Sequence, residues 1–396
     1  MQLSRRAQNI EPSATLAAAA KAKALKAQGK AILSLTVGEP DFATPVTIQQ
    51  AAVAAITSGK ASYYTPTAGI PELRQAVVEY LQTNYGLQYS PNQTVITTGA
   101  KFALYLLFQV VLNEGDEVIL PTPYWVSYAE QIKLAEGVPV LVAGAEANDF
   151  KVTVDQLEAA RTPRTKAILL NSPSNPTGMI YTKDELTAIG EWAVAHGLLI
   201  VADDIYGRLI YEGNTFTPIA TISEAIRQQT IIINGVSKTY AMTGWRIGFA
   251  VGNQTIIQAM IDLASQACSN TSAASQYAAV EALTGPQESI EVMRQAFEKR
   301  MLRTYELLKE VPGVTVRKPQ GAFYLFPNVK EMMALCGYTD VDALVADLLE
   351  EANVAVVTGN GFGAPENIRL SYATDLATLE EAIQRMKNFV EKKRKK

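Results

Sequence analysis

Leu198-Leu-Ile-Val-Ala-Asp203-Asp-Ile-Tyr206 is an apolar run that stops abruptly at two acids. Such a run reads as a strand buried on both faces, with its end turned toward something polar. The same pattern recurs on either side of it. Val95-Ile-Thr-Thr98 runs into Gly99-Ala100, and Glu117-Val-Ile-Leu120 ends at Pro121-Thr-Pro123. Ala167-Ile-Leu-Leu170 ends at Asn171-Ser-Pro173, and Thr230-Ile-Ile-Ile233 ends near Ser237-Lys238. Helical patterns separate these runs, among them Lys101 to Leu112 and Asp184 to Ala195. Short apolar strands alternating with helices predict an α/β fold, a mostly parallel sheet covered by helices. Ligands of such sheets bind at the carboxyl ends of the strands, where the unusual residues of this chain gather.

The alternation spans residues 46–285, which we read as a large domain. Residues 286–396 change pattern: a long charged helix over about 286–310, short strands around Gly321 to Leu325 and Ile368 to Tyr372, then a terminal helix. They read as a smaller α+β domain. Residues 1–45 carry a lysine-rich helix (14–29), a strand from Ile32 to Leu35 and the breaker-rich loop Gly38 to Pro45, and are expected to join the small domain. A chain of 396 residues fits two domains better than one core.

Composition narrows the function. Hydrophobic residues make up 48% and charged residues 19%, with a net charge of −4, so no basic field speaks for nucleic acid. The basic run from Lys392 to Lys396 reads as a solvated helix end. No apolar stretch approaches the roughly 18 residues of a membrane span. Lys21 and Lys23 break the only alanine run near the start, so no signal peptide is expected. Cys268 and Cys336 have no metal or redox spacing. A cytoplasmic protein is expected. His196 is the sole histidine and reads as a helix-end residue, which excludes Ser-His-Asp and Cys-His catalysis. Acid-base chemistry must then come from elsewhere, such as a lysine working with a cofactor.

Ser237-Lys238-Thr-Tyr-Ala-Met-Thr-Gly-Trp-Arg246-Ile-Gly248 suits that role. Attack on an aldehyde needs an uncharged lysine amine, and arginine offers phosphate a planar fork. An exposed loop lysine is the plain alternative. Asp203 could hold a pyridine nitrogen protonated and Tyr206 could reach a ring hydroxyl; an N-cap and a packing tyrosine would look the same. Asn175, in Asn171-Ser-Pro-Ser-Asn-Pro-Thr-Gly178, can donate to the same ring oxygen. Gly99-Ala100-Lys101 opens a helix whose backbone N–H groups could cradle phosphate. Trp125 offers a flat face to a heteroaromatic ring, or is simply core. Arg369 could pair with a carboxylate, or form a surface salt bridge.

Taken together and in order, these motifs resemble the fold-type I pyridoxal-phosphate (PLP) enzymes, specifically the class I aminotransferases. The match runs from Pro12-Ser-Ala-Thr15 through Gly38-Glu-Pro-Asp-Phe42 and Tyr64 to Arg369-Leu-Ser-Tyr-Ala373. The resemblance implies that Lys238 holds PLP as a Schiff base and that Asp203 meets the pyridine nitrogen. It gives Tyr206 and Asn175 the ring oxygen, and Ser237, Arg246, Gly99, Ala100 and Lys101 the phosphate. Trp125 would stack on the ring. Tyr64 would reach the phosphate of a neighbouring subunit, which implies a homodimer with shared sites. Gly38 and Arg369 resemble the α-carboxylate contacts, with Asn175 and Trp125 bordering the substrate. Many members carry Ser or Thr three residues before the lysine, where this chain has Gly235.

Bacterial aspartate aminotransferases of the subgroup that meets the distal carboxylate with Lys101, Ser13 and Thr15 resemble the chain most. Transfer between aspartate and 2-oxoglutarate is therefore expected, with an aromatic or prephenate aminotransferase as the alternative. A PLP carbon–sulfur lyase and a non-catalytic regulator are the readings from other classes.

Overall fold

The computed structural model describes residues 2–394. Twelve strands are present: β1 (Leu33–Ser34), β2 (Thr94–Thr97), β3 (Glu117–Thr122), β4 (Val138–Ala143), β5 (Thr165–Asn171), β6 (Leu199–Asp203), β7 (Thr230–Gly235), β8 (Gly248–Val251), β9 (Tyr324–Leu325), β10 (Val354–Ala355), β11 (Val357–Thr358) and β12 (Ile368–Ser371). Seven form one sheet in the order β2-β8-β7-β6-β5-β3-β4. Pairings from β4 through β7 are parallel, while β8 runs antiparallel to both β7 and β2.

The central strands are apolar because both faces are covered. Leu169, Val201 and Ile231 pack on one side with Leu104, Leu107 and Phe108 of the helix Ala100–Val111. Their chain neighbours Ile168 and Ile200 pack on the other with Leu186 and Ile189 of the helix Lys183–Ala195. This is the period-two alternation of a strand between two helical layers. His196 caps the latter helix beside Glu158 (Nε2 to carboxylate, 3.1 Å) and the edge of Trp192, as a helix-end residue should.

A second body of structure is built from β9, β11 and β12, in an antiparallel sheet ordered β11-β12-β9, with the helices Glu288–Lys309 and Leu376–Arg394. The amino-terminal segment joins it, since β1 pairs in parallel with β10 (Leu33 with Val354). In the basic run near the carboxyl end Lys392 and Arg394 are exposed, as expected, and Lys393 is the exception. Lys393 bonds Asp347 and Glu351 and lies over Tyr338 and Phe389, so it is docked rather than free. Lys395 and Lys396 lie outside the described residues.

Two glycines let β8 lie close to its neighbours. A Cβ at Gly248 would stand 2.2 Å from the backbone nitrogen of Ala100. A Cβ at Gly235, paired with Gly248 in the ladder, would stand 2.8 Å from the Ile247 carbonyl oxygen. A side chain at residue 235 would therefore crowd the β8 backbone. Gly248→Ala is expected to cost about 1–3 kcal/mol of stability by overpacking, read as a lower denaturant midpoint with an unchanged slope.

Candidate functional site

A cavity of about 440 Å³ opens where β5, β6 and β7 end. It gathers Ser13, Thr15, Gly38, Ala100, Lys101, Trp125, Asn175, Asp203, Tyr206, Ser237, Lys238, Arg246 and Arg369. Gly99 lies behind Arg246, and a Cβ there would stand 2.2 Å from a guanidinium nitrogen. Tyr64 is not part of this cavity: its side chain is 92% exposed, on the segment just after the helix Val46–Thr57.

Asp203 ends β6 and is buried. Tyr128 donates its hydroxyl to one carboxylate oxygen (2.6 Å) and the Ile205 N–H donates to the other (3.2 Å). Burial pushes its carboxyl up to about 6, against the lowering pull of those donors and of Lys238. Lys238 follows β7, and its amine donates to the Gly38 carbonyl (2.5 Å). Burial draws this amine down to about 8; Arg246 and Arg369 push the same way, while Glu39 and Asp203 oppose. The lysine thus comes within reach of the neutral form that nucleophilic attack requires.

Arg369, in β12, is 2% exposed, which removes the surface salt-bridge alternative. Its guanidinium donates to Asn175 Oδ1 (3.0 Å) and to the Thr36 carbonyl (2.9 Å), leaving Nε without a partner. Asn175 spends its oxygen on Arg369, so its amide N–H groups remain to donate into the cavity. Arg246 donates to the Thr243 carbonyl (2.9 Å) beside the start of the helix Ala100–Val111. Lys101 Nζ lies 4.8 Å from the centre of the Trp125 ring and makes no ion pair among the described residues. Ser13 and Thr15 share a hydrogen bond between their hydroxyls (2.9 Å).

Three contributors escaped the sequence reading. Tyr128 supports Asp203, and Asn171 donates from its side chain to the Asp203 carbonyl (2.9 Å) while its side-chain oxygen accepts from the Asn175 N–H (2.8 Å). Tyr324 meets the Tyr206 hydroxyl at 2.9 Å. Only Asn171 left a signal, as the polar residue at which an apolar strand run ends.

This donor set suits a phosphorylated pyridine aldehyde. It combines a buried acid, an amine of lowered proton affinity, and an arginine packed on a glycine at a helix start. The family model for aminotransferase class I and II matches residues 30–386. The chain belongs to the class I and II aminotransferases. Enzymes of this family depend on PLP, and this chain is one of them. It is 60% identical to the asparagine–oxo-acid transaminase of Streptococcus mutans over 391 residues, covering 99% of this chain and 100% of that protein. It is 56% identical to the aspartate aminotransferase of Geobacillus stearothermophilus, covering 99% of each. Among solved structures it resembles the Thermus thermophilus aspartate aminotransferase with maleate, with a TM-score of 0.93 and 41% identity over 98% of this chain and 99% of that one.

Among the described residues no helix is long and apolar enough to cross a membrane, and no cluster of three or more metal-type side chains occurs. Cys268 and Cys336 are both free. The lowered proton affinity of Lys238 has a measurable consequence. The rate at which cofactor-free protein captures PLP covalently should climb as pH rises through about 8 and then level off. A stopped-flow absorbance series from pH 6 upward checks this; a plateau reached only near the ordinary lysine value of about 10.4 would contradict it.

Proposed function

We propose that this aminotransferase moves the amino group of aspartate to 2-oxoglutarate, and that the residues gathered in the cavity do so in two half-reactions. Lys101 carries the substrate argument: it is a cation at the cavity wall with no ion-pair partner among the described residues, in the same lining as Ser13 and Thr15. Burial and Arg246 both lower its proton affinity, so a distal carboxylate of the substrate would be a favourable partner. The Geobacillus relative named for aspartate and the Thermus structure named with maleate, a dicarboxylate, support the same choice.

Bound PLP would supply an electron sink for the substrate's α-carbon. The protein's own part is positional and proton-handling. Arg369 would take the α-carboxylate in a bidentate pair, with the Gly38 backbone alongside. Asp203 would hold the pyridine nitrogen protonated, and the N–H of Asn175 and the hydroxyl of Tyr206 would steady the ring oxygen. Burial raises the Tyr206 phenol well above its usual range, so it stays a proton donor. Arg246, Ser237 and the backbone at Gly99, Ala100 and Lys101 would hold the phosphate, with Trp125 against the ring. Lys238 would hold the cofactor covalently at rest. Once displaced, its amine would take the α-proton and return it two atoms further along, to the cofactor's carbon beyond the nitrogen, a transfer that needs no histidine.

The segment after residue 45 leaves Val46, Val53, Ile56, Tyr63 and Tyr64 exposed. An apolar stretch of this kind supports a homodimer in which Tyr64 serves the neighbour's phosphate site. The pairing of β1 with β10 supports grouping 1–45 with 286–396 as the small domain and leaving 46–285 as the large one. We place the enzyme in the cytoplasm, with amino acids and 2-oxo acids as its small-molecule partners.

The name of the Streptococcus relative favours asparagine as a second donor. Aromatic amino acids and prephenate rank lower; two relatives named for aspartate and prephenate are 45% and 42% identical. A spectrophotometric screen of half-reactions decides among these: aspartate should bleach the cofactor band fastest. Lys101→Ala should slow aspartate by on the order of a hundredfold, the loss of a charged contact, while phenylalanine changes little. Equal losses on both would remove the assignment. Lys238→Ala should bind PLP without covalent capture and show no turnover. Sedimentation should give twice the monomer mass of 42.9 kDa.

A further inference from the structure

Tyr324 lies where three distant segments meet. Its hydroxyl is 2.9 Å from that of Tyr206, which follows β6 in the large sheet. Its ring faces the Arg369 guanidinium, whose carbon stands 4.5 Å from the ring centre. Its hydroxyl also stands 3.1 Å from the point a Cβ of Gly38 would occupy, on the segment whose carbonyl accepts from Lys238. The turn leading into Tyr324 is pinned on two sides. The Ala322 N–H donates to the Leu209 carbonyl (3.0 Å) and the Gln320 N–H to the Gly178 carbonyl (2.9 Å). The phenol therefore has little freedom to swing away.

We propose that Tyr324 is a positioning residue for this reaction: its hydroxyl sets the donor direction of the Tyr206 hydroxyl, and its ring ties that setting to the carboxylate-binding Arg369. The inference rests on the reading that Tyr206 serves the ring oxygen of PLP. Each phenol has one proton to give. Two phenols at hydrogen-bond distance must choose a direction, and Tyr206 is left free to donate to the cofactor only when Tyr324 donates to Tyr206. The guanidinium over the Tyr324 ring favours that direction, since a nearby cation makes a phenol a better donor. Hydrogen bonds in such a chain strengthen one another. The arrangement thus carries the charge state of the carboxylate site to the ring-oxygen site. The charged groups around the pair are Asp203, Lys238, Arg246, Arg369 and Glu39, and all stay in place when only the Tyr324 hydroxyl is removed.

Tyr324→Phe in the PLP-loaded dimer or monomer, whichever is isolated, tests this. The ring over Arg369 is kept and the hydroxyl lost. The pH midpoint of the cofactor's visible absorbance change should rise by about half a unit or more, as expected when a donor to the ring oxygen weakens. Turnover should drop several-fold with little change in KM. Tyr324→Leu, which also removes the ring, should in addition weaken binding of the unreactive dicarboxylate succinate. Added to Tyr206→Phe, the Tyr324→Phe change should shift the midpoint no further. A midpoint unmoved at full cofactor content, or an equal shift in the Tyr206→Phe background, overturns the proposal and leaves Tyr324 a packing residue. A wild-type protein with no visible band would instead overturn the cofactor reading itself, so the two failures are told apart.

Discussion

A carboxylate buried at the end of the central strand is the constraint to which the rest of the site conforms. Burying an ion is costly unless its lone pairs are met, and Asp203 is met by the Tyr128 hydroxyl and the Ile205 N–H. From that residue an unbroken line of polar contacts runs across the molecule. Asn171 binds the Asp203 carbonyl and the Asn175 N–H, Asn175 accepts from Arg369, and Arg369 reaches the Thr36 carbonyl. The line starts on β6, passes the end of β5, enters β12 and finishes in the amino-terminal segment. The Asp203 and Arg369 ends of the cavity are in this way placed relative to each other by bonds rather than by packing alone.

The opposite wall of the cavity is set by close approach. Gly248 lets β8 press on the first turn of the helix Ala100–Val111, and Gly99 lets the Arg246 guanidinium lie against the same turn. Arg246 itself sits in left-handed backbone (φ 58°), which turns the chain from the lysine motif into β8. A cation and the positive end of a helix are thereby held side by side, an arrangement that is unfavourable until an anion joins them. Strain of this sort is common where a site is preorganised for an anion.

Much of this was legible in the chain. The buried strands β5, β6 and β7 announce themselves by apolar runs that end in Asn171, Asp203 and Ser237, because both sheet faces are covered. Two strands of the large sheet were not legible. β4 is an apolar run, but Pro139 within it reads against a strand until the structure shows that it lies at the sheet edge. In β8 the residues were absorbed into the arginine motif that precedes them. Of the two-residue strands, β1 and β9 were read within Ile32 to Leu35 and Gly321 to Leu325, while β10 and β11 were not, since each pairs with residues distant in the chain or is too short to show a pattern. Tyr128 and Tyr324 were missed for the same reason: their partners lie 75 and 118 residues away, and an aromatic among apolar neighbours reads as core.

The crowded turn at Gly99 and Ala100 also bears on how such an enzyme could be re-tailored. A side chain at Gly99 would displace the guanidinium, and one at Gly248 would run into the Ala100 backbone. Lys101, the very next residue, ends its long flexible stem over the face of an indole and has no salt-bridge partner to lose. A crowded backbone and a side chain free to move are thus a single peptide bond apart. Libraries that vary residue 101 together with Ser13 and Thr15 change the lining of the cavity without touching the crowded turn behind it.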